Sequence, residues 1–130
     1  KHLCVGNHDK KLMRNKDVRN LFAEVVDYKE IQPDNSKGIV LCHYPIPCYN
    51  NHYYGWYHLY GHVHTSFEWN MMKQVQYEMR ELYDRPSNMY NVGCMVPGID
   101  YTPRTLDEII KIYEGNITRT THYETGVMLL

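Results

Sequence analysis

The sequence predicts a mixed α/β (α+β) layered domain, on three observations. Short apolar runs of strand character recur along the chain, and each ends in a loop holding glycine, proline or histidine: HLCVG at 2–6, IVLCHYP at 39–45, WYHLYGHVH at 56–64 and MYNVGCMV at 89–96. Two other stretches, 67–83 and 105–113, change to helical spacing. Strands and helices alternate without an internal repeat or a low-complexity linker, which favours layers of helix on sheet. A length of 130 residues suits one domain.

Residues 2 to 6 are expected to form a buried strand, with a loop at its C-terminal end. NHDKKLMRN continues that loop with at most one helical turn, and Asp17 is placed to cap a short helix running to Ala23. VVDYKEIQ at 25–32 is β-branched and aromatic enough for one strand. PDNSKG at 33–38 closes a hairpin, and Ile39 to Pro45 is the clearest strand, ended by the proline. Residues 46–56 form a loop. WYHLYGHVH returns to a strand. Met72, Val75, Met79, Leu82 and Tyr83 then fall on one helical face, closed by Asp84 and Pro86. MYNVGCMV is the next strand. TLDE at 105–108 has the form of a capping box, opening a helix to Tyr113 that Gly115 stops. Residues 116–130 are expected to be a tail or weak strand.

The bulk composition argues against several roles, while leaving a nucleic acid open as a substrate. A formal net charge of −1 demands neither a nucleic acid nor an anionic membrane as partner. No apolar run approaches the roughly 20 residues of a membrane-spanning helix. Cys4, Cys42, Cys48 and Cys94 form no CxxC pair, so they are expected to be free buried thiols in a reducing cytoplasm. Lys1 is not a methionine and Leu3 already looks internal to a strand, so the natural chain is expected to begin upstream.

Chemistry concentrates in four stretches: GNHD (6–9), LCHYP (41–45), YGHVH (60–64) and NVG (91–93). Three of them place a polar or ligating group at the end of an apolar strand, where sites assemble in layered α/β folds. In an extended chain His62 and His64 would share one face, and Gly61 would let the backbone approach whatever sits there. An HxH pair alone is more often two surface histidines. His43, inside a strand expected to be buried, is by itself as well read as a hydrogen-bonded core histidine as a ligand. The Asn7 carboxamide is a neutral oxygen donor suited to hard or mixed metal sites. His8 beside it suits acid–base work with Asp9 orienting its ring, although an Asn-His-Asp turn explains the same letters.

Taken in order, GNHD, an isolated histidine after a hydrophobic strand, and GHVH resemble the C-terminal half of calcineurin-like metallophosphoesterases, and NVGCMV and PRTLDEII look like the small bacterial and prophage-type members. The resemblance implies that residues 1–115 are the C-terminal part of such a domain. Its fold would be a layered β-sandwich flanked by helices, incomplete and lacking the N-terminal strands. It implies that Asn7, His43 and His62 bind one metal of a pair, that His64 binds the other, and that His8, a catalytic residue supported by Asp9, stabilises or protonates the leaving side. Two divalent ions are implied, Mn, Fe or Zn with Mn favoured. The implied reaction is hydrolysis of a phosphomono- or phosphodiester by a metal-bridged hydroxide, on a small phosphate-ester substrate.

The family's two earlier motifs, an Asp-x-His and a Gly-Asp carrying the bridging carboxylate, do not occur in this chain. Activity of the isolated chain is therefore expected to be low. The alternative is a truncated, non-catalytic metal-binding or interaction module derived from that family. A third reading, nucleic-acid stacking on YNNHYYGWYHLY at 49–60, is disfavoured by the net charge and the lack of a basic cluster.

Overall fold

The computed structural model describes residues 1–122, with side chains described through residue 115. The chain runs β1 (His2–Cys4), α1 (Lys16–Arg19), β2 (Glu24–Val26), β3 (Tyr28–Ile31), β4 (Ile39–Cys42), β5 (Tyr57–Tyr60), α2 (Phe67–Glu81), β6 (Asn88–Asn91) and α3 (Leu106–His122). Single 3₁₀ turns occupy Leu12–Arg14 and His52–Tyr54. This is a mixed α/β chain with two small sheets.

The sheets separate at Asp27. β1 and β2 form a two-stranded parallel pair, with Leu3 opposite Val25. β3 to β6 form a four-stranded sheet in sequence order, in which the β3–β4 hairpin is antiparallel and β4, β5 and β6 run parallel. The single strand expected over 25–32 is thus two strands in two sheets. Its β-branched and aromatic run hid the break, because Asp27 is the only turn-forming residue in it.

Two cores lie on the two faces of the larger sheet. Val40, Tyr60 and Met89 pack with Tyr49 and Val63 against Trp69 and Met72 of α2. Tyr90, Val96, Ile99 and Ile109 pack with Tyr57, Leu59 and the α3 residues Ile112 and Tyr113. Alternation along β5 explains the division: His58 and Tyr60 face one way, Tyr57 and Leu59 the other.

Several helix limits differ from expectation. Asn15, not Asp17, caps α1, its side chain accepting from the backbone N–H of Asp17 and Val18. The helix is a single turn ending at Arg19, four residues short of Ala23. Ser66 caps α2, and Leu82 and Tyr83, expected on its buried face, are each 66% exposed beyond its last turn. The capping box of α3 forms as expected: Thr105 N–H donates to Glu108 Oε2 at 2.7 Å, and Glu108 N–H donates to Thr105 Oγ1 at 3.2 Å. Gly115 does not stop that helix, which continues to His122, because a helix already capped and packed tolerates one glycine at about 1 kcal/mol. The expected tail of 116–130 is therefore helical over 116–122, and 123–130 lie outside the described residues. All four cysteines are free, but none is fully buried as expected: Cys4 and Cys42 are half-buried, and Cys48 and Cys94, both on loops, are exposed. Among the described residues no helix is long and apolar enough to cross a membrane.

Candidate metal centre at the strand ends

Three loops meet where β1, β4 and β5 end. β4 and β5 are parallel neighbours, with Leu41 opposite Leu59, so the residues that follow them emerge side by side. Gly61 N–H donates to the His43 carbonyl at 3.0 Å, continuing the pairing one step past the strands. The β1 loop arrives from the other sheet. Val5 N–H donates to the Val26 carbonyl at 2.8 Å, and the chain then turns at Gly6.

The turn at Gly6 to Asp9 closes on itself. Gly6 N–H donates to Asp9 Oδ2 at 2.8 Å, and Asp9 N–H donates to the Gly6 carbonyl at 3.2 Å. One oxygen of Asp9 is thus engaged by the loop backbone, and among the described residues no hydrogen bond joins its carboxylate to the His8 ring. The contact is a turn-closing one, in which the short aspartate side chain reaches the amide three residues back.

Asn7, presented by this turn, meets two histidines. His43 Nε2 lies 2.9 Å from Asn7 Oδ1. His62 Nδ1 lies 3.3 Å from the same oxygen and 3.3 Å from His43 Nε2. The three atoms form a nearly equilateral triangle. Donors each about 2.1 Å from one ion, at angles between octahedral and tetrahedral, stand roughly 3.0–3.4 Å apart. The triangle has the dimensions of one face of such a coordination shell. Hydrogen bonding explains the two contacts to oxygen, since each imidazole can donate one N–H to Asn7 Oδ1. It then leaves the His43–His62 contact with two donors pointed together, unless one ring takes its other tautomer.

The donor set fits a divalent cation. Two imidazole nitrogens and an amide oxygen suit Mn, Fe or Zn and add no negative charge. Burial, then the neighbouring His62, push the His43 pKa below the ordinary histidine value, with His64 and His8 adding to the effect and Asp9 opposing it. The neutral imidazole required of a ligand is therefore favoured. Among the described residues no three His, Cys, Asp or Glu side chains are grouped to hold a metal. The third donor here is an amide, and no carboxylate joins it.

Gly6 is what lets the rings close in. A Cβ there would lie 2.8 Å from both Cε1 and Nδ1 of His43, nearer than side-chain carbons pack. The close backbone approach expected at Gly61 falls at Gly6 instead, since a Cβ on Gly61 would meet His43 at an ordinary 3.6 Å. His43 itself sits just beyond β4 and is half-buried, not within a buried strand.

His62 and His64 do not share a strand face. β5 ends at Tyr60, and both histidines have left-handed backbones, with φ of 49° and 50°. The chain coils after Gly61, directing His62 into the triangle and leaving His64 exposed outside it. Alternation along a strand therefore does not explain the pair. His8 is also exposed and makes no side-chain hydrogen bond among the described residues. His8 and His64 reach His43 only through charge.

Two further residues shape the centre. The Tyr44 ring packs edge-on to His43 at 5.1 Å and tilted over His62 at 4.6 Å, walling both imidazoles. Asn91 is fully buried and donates through Nδ2 to the His64 carbonyl at 2.7 Å, while its Oδ1 accepts from Gly93 N–H at 3.0 Å. Tyr113 of α3 donates to the Asn91 carbonyl at 2.6 Å. The strand-end NVG marked Asn91 as polar in an apolar run; nothing in the sequence distinguished Tyr44 among thirteen tyrosines.

Comparison with protein-family models, with curated proteins and with solved structures gives no match.

Proposed function

We propose that this chain is a metal-dependent phosphoesterase, with Asn7, His43 and His62 holding one divalent cation and His64 contributing to a second. The observation that carries the proposal is the triangle of donor atoms at 2.9, 3.3 and 3.3 Å, drawn from loops 36 and 55 residues apart in sequence. The order of GNHD, LCHYP and GHVH along the chain supports the same reading, and with it the finer expectation of a metallophosphatase-type layered sandwich. The substrate class is a phosphomono- or phosphodiester.

Divalent cations bound there would neutralise phosphoryl charge and lower the pKa of water at the site. The chain's own residues do the rest. Asn7 and the two imidazoles hold the charge without cancelling it, so the site attracts an anionic ester. Tyr44 shields the imidazoles on one side. His8, one residue from Asn7 and exposed to arriving substrate, donates its ring proton to the leaving ester oxygen. Asp9 keeps the Gly6 turn closed and thereby sets where Asn7 and His8 project.

The missing carboxylate favours a second reading, a metal-binding module without catalysis. Hydrolysis of bis-p-nitrophenyl phosphate with added Mn²⁺ separates the two. Slow turnover above the Mn²⁺ blank, lost in His43→Ala, is expected of the enzyme. Mn²⁺ bound by the triangle without turnover identifies the module. Neither binding nor turnover contradicts both.

A further inference from the structure

A second concave site is lined in part by Val5 and Lys10, the residues that flank the Gly6–Asp9 turn. A cavity of about 420 Å³ is lined by Val5, Met13, Val25 and Val26 together with Lys10, Arg14, Arg19 and Asp27. That volume is within the roughly 300–1,000 Å³ of pockets that hold small molecules. Its lining is divided: Val5, Met13, Val25 and Val26 are apolar, with Val25 and Val26 on alternate faces of β2, and three cations with one carboxylate are the polar members.

The cations are uncommitted among the described residues. Among the described residues the ion pairs are His2 with Glu24 and Lys29 with Glu24, and neither involves Lys10, Arg14 or Arg19. None of the three makes a side-chain hydrogen bond there either. Three like charges around one cavity repel one another, and Asp27 offsets only one of them. Separate elements supply them: the end of the Gly6–Asp9 turn, the 3₁₀ turn at Leu12–Arg14 and the last residue of α1. Met13 N–H, donating to the Asp9 carbonyl at 2.9 Å, holds the 3₁₀ turn against the loop.

We infer that this cavity binds an organic phosphate of mononucleotide size. Its phosphate is met by Arg14, Arg19 and Lys10, and its flat body lies on the apolar part of the lining, Val5 and Met13 with one valine of β2. Two guanidinium forks suit bidentate contact with phosphoryl oxygens. An inorganic anion leaves the apolar lining unused, and an uncharged ring system leaves the cations unanswered. Lys10 is three residues from Asn7, so their Cα atoms are at most about 11 Å apart. The ligand thus adjoins the metal centre without sharing its residues, and the inference stands without the phosphoesterase reading.

Calorimetric titration of the full chain in EDTA tests this with AMP as probe, beside adenosine and inorganic phosphate. AMP is expected to bind with a Kd below about 1 mM. The affinity is expected to fall at least about tenfold in Arg14→Gln/Arg19→Gln, to rise in Asp27→Asn, and to be unchanged in His62→Ala. Both arginines are exposed and have no partner among the described residues, and an unaltered circular dichroism spectrum verifies that the double variant is folded. The inference is overturned by AMP failing to bind at several times that concentration, by equal binding to the double variant, or by adenosine or inorganic phosphate binding as tightly as AMP. Loss of Mn²⁺ binding in His62→Ala with AMP binding intact separates this cavity from the metal centre.

Discussion

His43 Nε2 stands 2.9 Å from Asn7 Oδ1, and this contact joins the two sheets of the molecule, since Asn7 follows β1 of the small sheet and His43 follows β4 of the large one. A cation held at the triangle would fasten the two sheets to each other as well as serve chemistry. Mn²⁺ is expected to raise the melting temperature of the wild-type chain and to have no such effect on Asn7→Ala, whose Mn²⁺ affinity falls by tenfold or more, since even groups one step removed from a metal change affinity by roughly 10–100-fold. Thermal unfolding with and without Mn²⁺ measures both. An equal shift in the two proteins contradicts the assignment.

Gly6→Ala probes the approach of the His43 ring. The added methyl would lie 2.8 Å from two ring atoms, so the imidazole must move or the turn must open. The variant is expected to lose about 1–3 kcal/mol by urea unfolding and to weaken Mn²⁺ binding. Gly61→Ala, with space at 3.6 Å, is expected to do neither.

His58 gives a pH signature of its own. It is fully buried, its Nδ1 donating to the Val40 carbonyl at 3.0 Å while Nε2 accepts from Ile46 N–H at 3.0 Å. The neutral ring satisfies both nitrogens, and burial pushes the pKa below its ordinary value, with the Val40 and Tyr44 backbone groups opposing the shift. The unfolded chain therefore binds the proton more readily than the folded one. This contribution is complete above the unfolded pKa of about 6.5 and is lost as pH falls from there through the folded pKa. Urea midpoints are expected to fall between pH 7.5 and 5.5, with a shallower slope in His58→Gln. Equal slopes would contradict the neutral assignment.

The α3 capping box is testable by a double-mutant cycle. Thr105→Ala is expected to cost about 1 kcal/mol, and adding Glu108→Ala less than its separate cost, because the two side chains serve each other's backbone N–H. Additive losses would argue that the two hydrogen bonds act independently.

Much of the fold was legible in the sequence because it depends on local chemistry. The turn formers of PDNSKG, the apolar run at Ile39–Cys42 and the Thr105–Glu108 spacing each announce their element. The separation of β2 from β3 was not legible, because which sheet a strand joins is settled by pairing partners distant in sequence. At the site, the order of motifs brought Asn7, His43 and His62 to notice together. The left-handed backbones of His62 and His64 were not legible, since histidine, although enriched in that region with asparagine and aspartate, adopts it in only a minority of cases. Asp9's bond to Gly6 N–H was equally hidden, as the same four letters permit either a turn or a carboxylate–histidine pair.

The most direct test of the metal centre is anomalous scattering from a crystal of the full chain soaked in Mn²⁺. The triangle predicts a peak about 2.0–2.3 Å from Asn7 Oδ1, His43 Nε2 and His62 Nδ1 together. Bound Mn²⁺ found only elsewhere, with the two imidazoles still hydrogen-bonded to Asn7, would contradict it.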